Sequence, residues 1–276
     1  MPEMPEIEAL ARTVRPLVRG KRIKRCDVIH EIAVKPSSGR GAKQAAKLLR
    51  NRIRGQRVEA VDRRGKFLLL RLGDGCLALH FRLSGKLLWF ASSKISGHVD
   101  VAFELAKGAL GFVDRRHLGR VQWARSPEDI PGIAALGADP LSREFTAARL
   151  AEILRSSRLP LKLFLLDQGR IAGLGNIYSS EAMWRARLSP LRPANKVRPA
   201  EARALHKGIV AVLRRALECC LDPAPDLRDP NWHFAGLGAM IRVYGREGKP
   251  CRRDGHPIRR IAQGGRSTFW CAHCQL

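Results

Sequence analysis

The sequence predicts an α+β chain. A helix opens it, short antiparallel strands follow, then a helical half, and a cysteine-bearing hairpin closes it. Three observations predict this. The apolar period changes from helical to alternating and back to helical, turn dipeptides punctuate the alternating part, and three of the seven cysteines cluster near the end.

Residues 5–19 carry Ile7, Leu10, Ala11, Val14, Leu17 and Val18 at helical spacing, with Arg12, Arg15 and Arg19 on the other face. A second short helix is expected over 42–52. Seven short apolar or alternating runs follow, at 58–62, 67–72, 76–83, 86–90, 99–105, 110–114 and 120–123. Asp74-Gly75, Ser84-Gly85 and Lys107-Gly108 fall between them as turns, so the strands form an antiparallel sandwich or barrel. Residues 131–140, rich in Gly, Ala and Pro, read as an interdomain linker. Helices are then expected at 145–156, 161–167, 177–187 and 199–220, with a Pro- and Asp-rich loop over 221–232.

A chain of 276 residues can bury two cores. Its 51 Lys and Arg against 25 Asp and Glu give a formal charge of +26, spread along the whole length. That is a basic folded surface and not a basic tail, and its first expected partner is a polyanion, nucleic acid before a membrane surface. No stretch is long and apolar enough to span a bilayer, and the N-terminus lacks the layout of a signal peptide. A reducing cytoplasm is the expected compartment, so the cysteines are not read as a disulfide framework. Cys26, Cys76, Cys219 and Cys220 sit in apolar contexts as small core residues.

Four constellations carry chemistry. Met1-Pro2-Glu3 and Pro5-Glu6 open the first helix. With Met1 removed, Pro2 is a secondary amine able to attack a sugar aldehyde carbon and form an iminium ion. Proline and acids are also common in a first helical turn, so this pattern gains its force only from the rest of the chain. Cys251-Arg-Arg-Asp254-Gly-His256, then Cys271-Ala-His-Cys274 after a hairpin's length, suits a zinc-stapled β-hairpin. The fourth ligand is open between Asp254, by register, and His256, by zinc's preference for imidazole. Gly173 to Tyr178 marks a helix start whose N–H groups suit a phosphate. Arg63-Arg64-Gly65-Lys66 and Asp114-Arg115-Arg116-His117-Leu118-Gly119 are basic loops at strand ends. No GxxxxGK[ST] motif occurs, so no nucleotide cofactor is expected.

Taken in order, several motifs resemble the formamidopyrimidine-DNA glycosylase and endonuclease VIII family, its formamidopyrimidine branch more closely. They are Pro2-Glu3 with Pro5-Glu6, Arg64-Gly-Lys66, Leu83-Ser84-Gly85, Arg115-Arg116 before Gly119, Leu136-Gly137 with Pro140-Leu141, Lys162 before Leu165-Leu166-Asp167-Gln168, Gly173 to Tyr178, and Val243-Tyr244-Gly245-Arg246. The resemblance implies an N-terminal helix on a β-sandwich (1–130), a linker (131–140), a helix–two-turn–helix domain (141–236) and a zinc hairpin (237–276). It implies bent, damaged double-stranded DNA in a basic cleft with one nucleotide flipped out. Pro2 would be the nucleophile, Glu3 a proton shuttle, Glu6 a support, and Lys66 a lysine near the lesion. Lys162, Asn176 and Arg266 match phosphate-binding positions, and one structural zinc is implied.

The sequence departs from the family in three places. Leu83, Arg116 and Leu118 stand where a Met, an Arg and a Phe usually fill the space left by the flipped nucleotide, and His117 replaces a second arginine. Asp254 stands where a cysteine is usual. Residues 219–234 lack the Gly-Gly-Thr loop that often covers 8-oxoguanine. The expected activity is a bifunctional glycosylase and abasic-site lyase on oxidised purines. Oxidised pyrimidines or hydantoins, or DNA binding without excision, are the alternatives. A bacterial, cytoplasmic monomer is expected.

Overall fold

The computed structural model describes residues 2–35, 41–92 and 95–276; Met1, whose removal the N-terminal reading needs, lies outside them. The chain divides into two compact units. The first comprises Met1–Pro2, Glu6–Ala134 and Pro223–Phe234, and the second comprises Glu3–Pro5, Ala135–Asp222 and Ala235–Leu276.

The first unit begins with helix α1 (Met4–Val18), strand β1 (Ile23–Val28) and helix α2 (Ala42–Ile53). Strands β2 (Val58–Arg64), β3 (Phe67–Leu72), β4 (Gly75–His80), β5 (Lys86–Phe90), β6 (Val101–Leu105), β7 (Ala109–Val113) and β8 (Arg120–Ala124) follow, then the short helix α3 (Pro131–Ala134). The strands form two antiparallel four-stranded sheets, ordered β1-β6-β7-β5 and β2-β3-β4-β8. Their inward side chains share one core, to which α1 adds Ile7, Leu10, Val14 and Val18 and α2 adds Ala46, Leu49 and Ile53. This is the sandwich option of the sequence reading. The β2–β3 hairpin turns through Gly65-Lys66, with Gly65 at φ 56 in the first central position, where a left-handed backbone favours glycine.

Strand β1 goes beyond the sequence reading. A register shift between Ile23 and Arg25 breaks its alternation, so its buried residues fall at 23, 26 and 28. Residues 223–234, expected in the helical domain, group with the sandwich instead. Trp232 is buried there and donates its Nε1–H to the Leu87 carbonyl at 2.7 Å. Lys86 Nζ donates to the Trp232 carbonyl at 2.9 Å, and Trp89 N donates to the Leu227 carbonyl at 2.7 Å.

The second unit holds helices α4 (Ala147–Arg155), α5 (Leu161–Leu166), α6 (Asn176–Ala186), α7 (Pro199–Leu221) and α8 (Leu237–Met240). Strands β9 (Arg259–Gln263) and β10 (Arg266–Trp270) pair as the expected terminal hairpin. Apolar side chains of α4, α5, α6 and α7 form one core, which also takes in Met4. No described helix is long and apolar enough to cross a membrane.

Candidate functional site

The N-terminal carboxylate is fixed by the start of a distant helix. Helix α1 begins at Met4, so Pro2 and Glu3 precede it instead of forming its first turn. Pro2 is half-buried, while Glu3 is 1% exposed and Glu6 is buried in the first turn. Glu3 Oε1 accepts the Ile177 N–H at 2.9 Å, and Met4 N donates to the Gly173 carbonyl at 3.1 Å. A carboxylate at a helix N-terminus meets both a free donor and the positive end of the dipole. A Cβ at residue 175 would fall on the Glu3 carboxyl group, so any other residue there displaces that carboxylate. Gln168 braces the same loop, donating to the Leu166 and Leu174 carbonyls and accepting the Gly173 N–H.

Lys162 requires a correction. Expected at a phosphate, its side chain has no exposed surface. Its ammonium donates to the Asn176 carbonyl at 2.8 Å, Ser179 Oγ at 2.8 Å and Ser180 Oγ at 2.7 Å. All three N–H groups are thus used in holding the first turn of α6. Burial pushes its pKa down to about 7, against the opposing pull of Glu3, with Arg266 lowering it further. Arg266 itself is exposed at the start of β10. Asn176 Nδ2 donates to the Ser267 carbonyl at 2.9 Å, so β10 ties Asn176 to the neighbour of Arg266. The helix start expected to hold phosphate has its Ile177 donor engaged by Glu3, and Arg266 lies close enough to lower the Lys162 pKa.

In the first unit, Lys66 sits half-buried in the β2–β3 turn. Its charge reaches His80, whose pKa is pushed to about 4 by burial first, then by Arg82 and Lys66. Leu83, Arg116 and Leu118 are all exposed, on two turns that share one buried carboxylate. Asp114 Oδ1 accepts Ser84 Oγ–H at 2.5 Å and the Arg116 N–H at 3.1 Å. Its Oδ2 accepts the N–H groups of Leu118 at 2.9 Å and Gly119 at 2.5 Å. Burial works to raise the Asp114 pKa, but these hydrogen bonds, Ser84 foremost, hold it below the ordinary value. Between the two displayed side chains, His117 takes a left-handed backbone, φ 50, that few non-glycine residues adopt.

The terminal hairpin brings Cys251, Asp254, Cys271 and Cys274 together, their donor atoms all within 4.8 Å of one another. Cys251 Sγ and Cys274 Sγ lie 4.0 Å apart, and Cys271 Sγ lies 3.4 and 3.5 Å from the two Asp254 oxygens. Three thiolates and a carboxylate at this spacing fit one tetrahedral zinc. His256 lies outside this set of four and forms a second group with Asp254 and His273. Its ring stacks on His273 at 3.8 Å, and its backbone N–H and the His273 ring instead hold the Asp254 carboxylate. Trp184 Nε1 donates to Cys251 Sγ at 3.4 Å and Arg253 to Cys274 Sγ at 3.3 Å, the kind of outer support that steadies thiolate ligands.

Several residues escape sequence reasoning. Ser179 and Ser180 follow the glycine loop as ordinary helix residues, and nothing nearby signals that they receive Lys162. Glu181 is buried and accepts the N–H groups of Arg242, Val243 and Tyr244 at 2.9–3.0 Å, anchoring the segment before the finger. Asp114 shows itself in the sequence only as the first residue of a basic loop.

Family comparison agrees along the whole chain. The formamidopyrimidine-DNA glycosylase N-terminal domain matches residues 1–121, its H2TH domain matches 136–222, and a zinc finger found in FPG and IleRS matches 248–276. A formamidopyrimidine-DNA glycosylase of Chloroflexus aurantiacus is 39% identical, covering 100% of this chain and 98% of the relative. One from Desulfitobacterium hafniense is 35% identical over 100% of both. Among solved structures, Lactococcus lactis Fpg in complex with abasic-site DNA superposes with a TM-score of 0.86 at 27% identity over 99% of each chain. The MutM (Fpg) protein of Thermus thermophilus gives 0.84 at 35% identity, over 99% of this chain and 98% of that one. The two-sheet sandwich, the pinned N-terminal carboxylate, the helical unit and the Cys/Asp hairpin therefore have one explanation: the chain belongs to the formamidopyrimidine-DNA glycosylase family.

Proposed function

We propose that the chain excises oxidised purines, 8-oxoguanine and formamidopyrimidines, from duplex DNA and then cuts the abasic strand, as a bifunctional glycosylase and lyase of base-excision repair. The observation that carries this reading is the Glu3 carboxylate. It is buried, covalently next to Pro2, and oriented by the Ile177 N–H over Gly175, where a Cβ would displace it.

The Pro2 nitrogen gives its lone pair to C1′ as the glycosidic bond breaks, and the departing base keeps that bond's electrons and takes up a proton. Glu3 exchanges protons with the sugar as its ring opens, leaving an iminium ion at C1′. The cationic nitrogen acidifies C2′. Loss of that proton expels the 3′ phosphate, and a second elimination expels the 5′ phosphate. Glu6 supports the same turn and Lys66 lies beside the lesion. Asn176 and Arg266 hold phosphate, and Leu83, Arg116 and Leu118 occupy the space of the extruded nucleotide. Zinc, when bound, holds the hairpin that carries Arg266 and takes no part in bond making.

A second reading keeps the chemistry but moves the lesion to oxidised pyrimidines or hydantoins. It draws on residues 223–234, whose Leu227 and Trp232 are committed to the sandwich core and are not free to cover a base. Borohydride trapping tests both readings on duplexes carrying 8-oxoguanine, thymine glycol, a hydantoin or an abasic site. Adducts with 8-oxoguanine and the abasic site, lost in Pro2→Gly, are expected. Adducts with thymine glycol or the hydantoin but not 8-oxoguanine favour the second reading. No adduct with any duplex leaves only a DNA-binding protein that does not excise.

A further inference from the structure

Three histidines and an aspartate meet at one end of the sandwich, far in sequence from the finger's cysteines. His30 follows β1, His98 and Asp100 precede β6, and His117 lies in the β7–β8 loop. Asp100 has no exposed surface. Its backbone is fixed from two sides: its carbonyl accepts the Ile29 and His30 N–H groups, and its own N–H donates to the Phe112 carbonyl. One side-chain oxygen, Oδ2, accepts the Asp114 N–H at 2.5 Å. The other, Oδ1, faces three imidazole nitrogens: His117 Nδ1 at 2.9 Å, His30 Nδ1 at 3.0 Å and His98 Nε2 at 3.7 Å.

These contacts are not a hydrogen-bonded network. Asp100 Oδ1, His30 Nδ1 and His117 Nδ1 are buried and none has a hydrogen-bond partner, although the two rings stand only 3.0 and 2.9 Å from the carboxylate. A buried carboxylate oxygen left so costs free energy unless something else satisfies it. The four donor atoms lie within 4.8 Å of one another. Ligands about 2.0–2.1 Å from a tetrahedral zinc are separated by about 3.3 Å, and the spacings around Oδ1 bracket that value.

We propose that His30, His98, Asp100 and His117 form a second zinc site, separate from the finger. Three imidazoles and one carboxylate select a borderline transition ion over calcium or magnesium, which take oxygen ligands. In a chain of charge +26, a cation must be held by coordinate bonds because the surrounding field repels it, and imidazole nitrogens supply such bonds. The site also accounts for the left-handed backbone of His117, which sets its ring against Asp100. A metal here clamps the loop that displays Arg116 and Leu118 to β1 and β6. The DNA-facing importance of that clamp rests on the function proposed above, but the site itself does not.

Metal analysis of the full chain, with no DNA present, separates the two questions. After equilibration with Zn(II) and removal of loose ion, the parent should hold two zinc per chain. His30→Gln with His98→Gln, both at half-exposed side chains, should hold one while keeping the parent's circular dichroism spectrum. Co(II) added to protein retaining the finger zinc should give visible ligand-field bands without thiolate charge-transfer absorption, and these should vanish in the double variant. One zinc per parent chain, or two retained by the double variant, overturns the proposal.

Discussion

The proposed function gives the Glu3 carboxylate two roles, orientation and proton exchange, and substitution at this residue separates them. A glutamine side-chain oxygen still accepts the Ile177 N–H, so Glu3→Gln should keep the fold and DNA affinity within a few-fold. Base excision should fall about 10²–10⁴-fold in single-turnover assays, the usual worth of a positioned acid–base group; excision at the parental rate would remove Glu3 from proton transfer. Lys162 supports a second expectation. Its folded pKa of about 7 lies below the ordinary value of 10.5, so between those values the unfolded chain binds the extra proton. Stability from this group therefore rises with pH across that window and is flat below it. Denaturant unfolding should show the parent gaining up to about 3 kcal/mol on Lys162→Met between pH 7 and 9.5. At this scale the sequence singles out Glu3 and Lys162. It does not tell that both are buried, because burial depends on the loop from Gly173 to Gly175, which is distant from Glu3 in sequence.

The finger is built by two turns and a hairpin, and register places Asp254 among the thiolates although imidazole is the commoner zinc donor. Elemental analysis should find Asp254→Ala short by one zinc relative to the parent and His256→Ala unchanged. The opposite pattern would restore His256 as a ligand. The strands at 67–72 and 75–80 are legible because Asp74-Gly75 marks the turn between two apolar runs, and the terminal hairpin is legible from the cysteine spacing. Strand β1 is not, since its register shift destroys the period on which such reading depends. The stretch 221–232 reads as a loop, but from residue 223 onward it belongs to the other unit. Proline and aspartate mark where a chain turns, whereas Trp232 and Leu227 decide what it packs on, and nothing local names their partners. The His30, His98, Asp100 and His117 cluster escapes for the same reason, its members coming from three separate loops.

At the scale of the whole molecule, charge sets affinity. A formal +26 distributed over a folded surface implies that phosphates dominate binding and that salt competes directly. Affinity for an abasic duplex should fall about 10³-fold or more between 50 and 200 mM salt, linearly on logarithmic axes. A nearly flat titration would contradict phosphate-led binding. The most direct measurement is peptide mass spectrometry of the borohydride-reduced complex with abasic DNA. The sugar fragment should sit on the nitrogen of a peptide that begins at Pro2. A fragment on a lysine, or fully active protein that still carries Met1, would contradict the account.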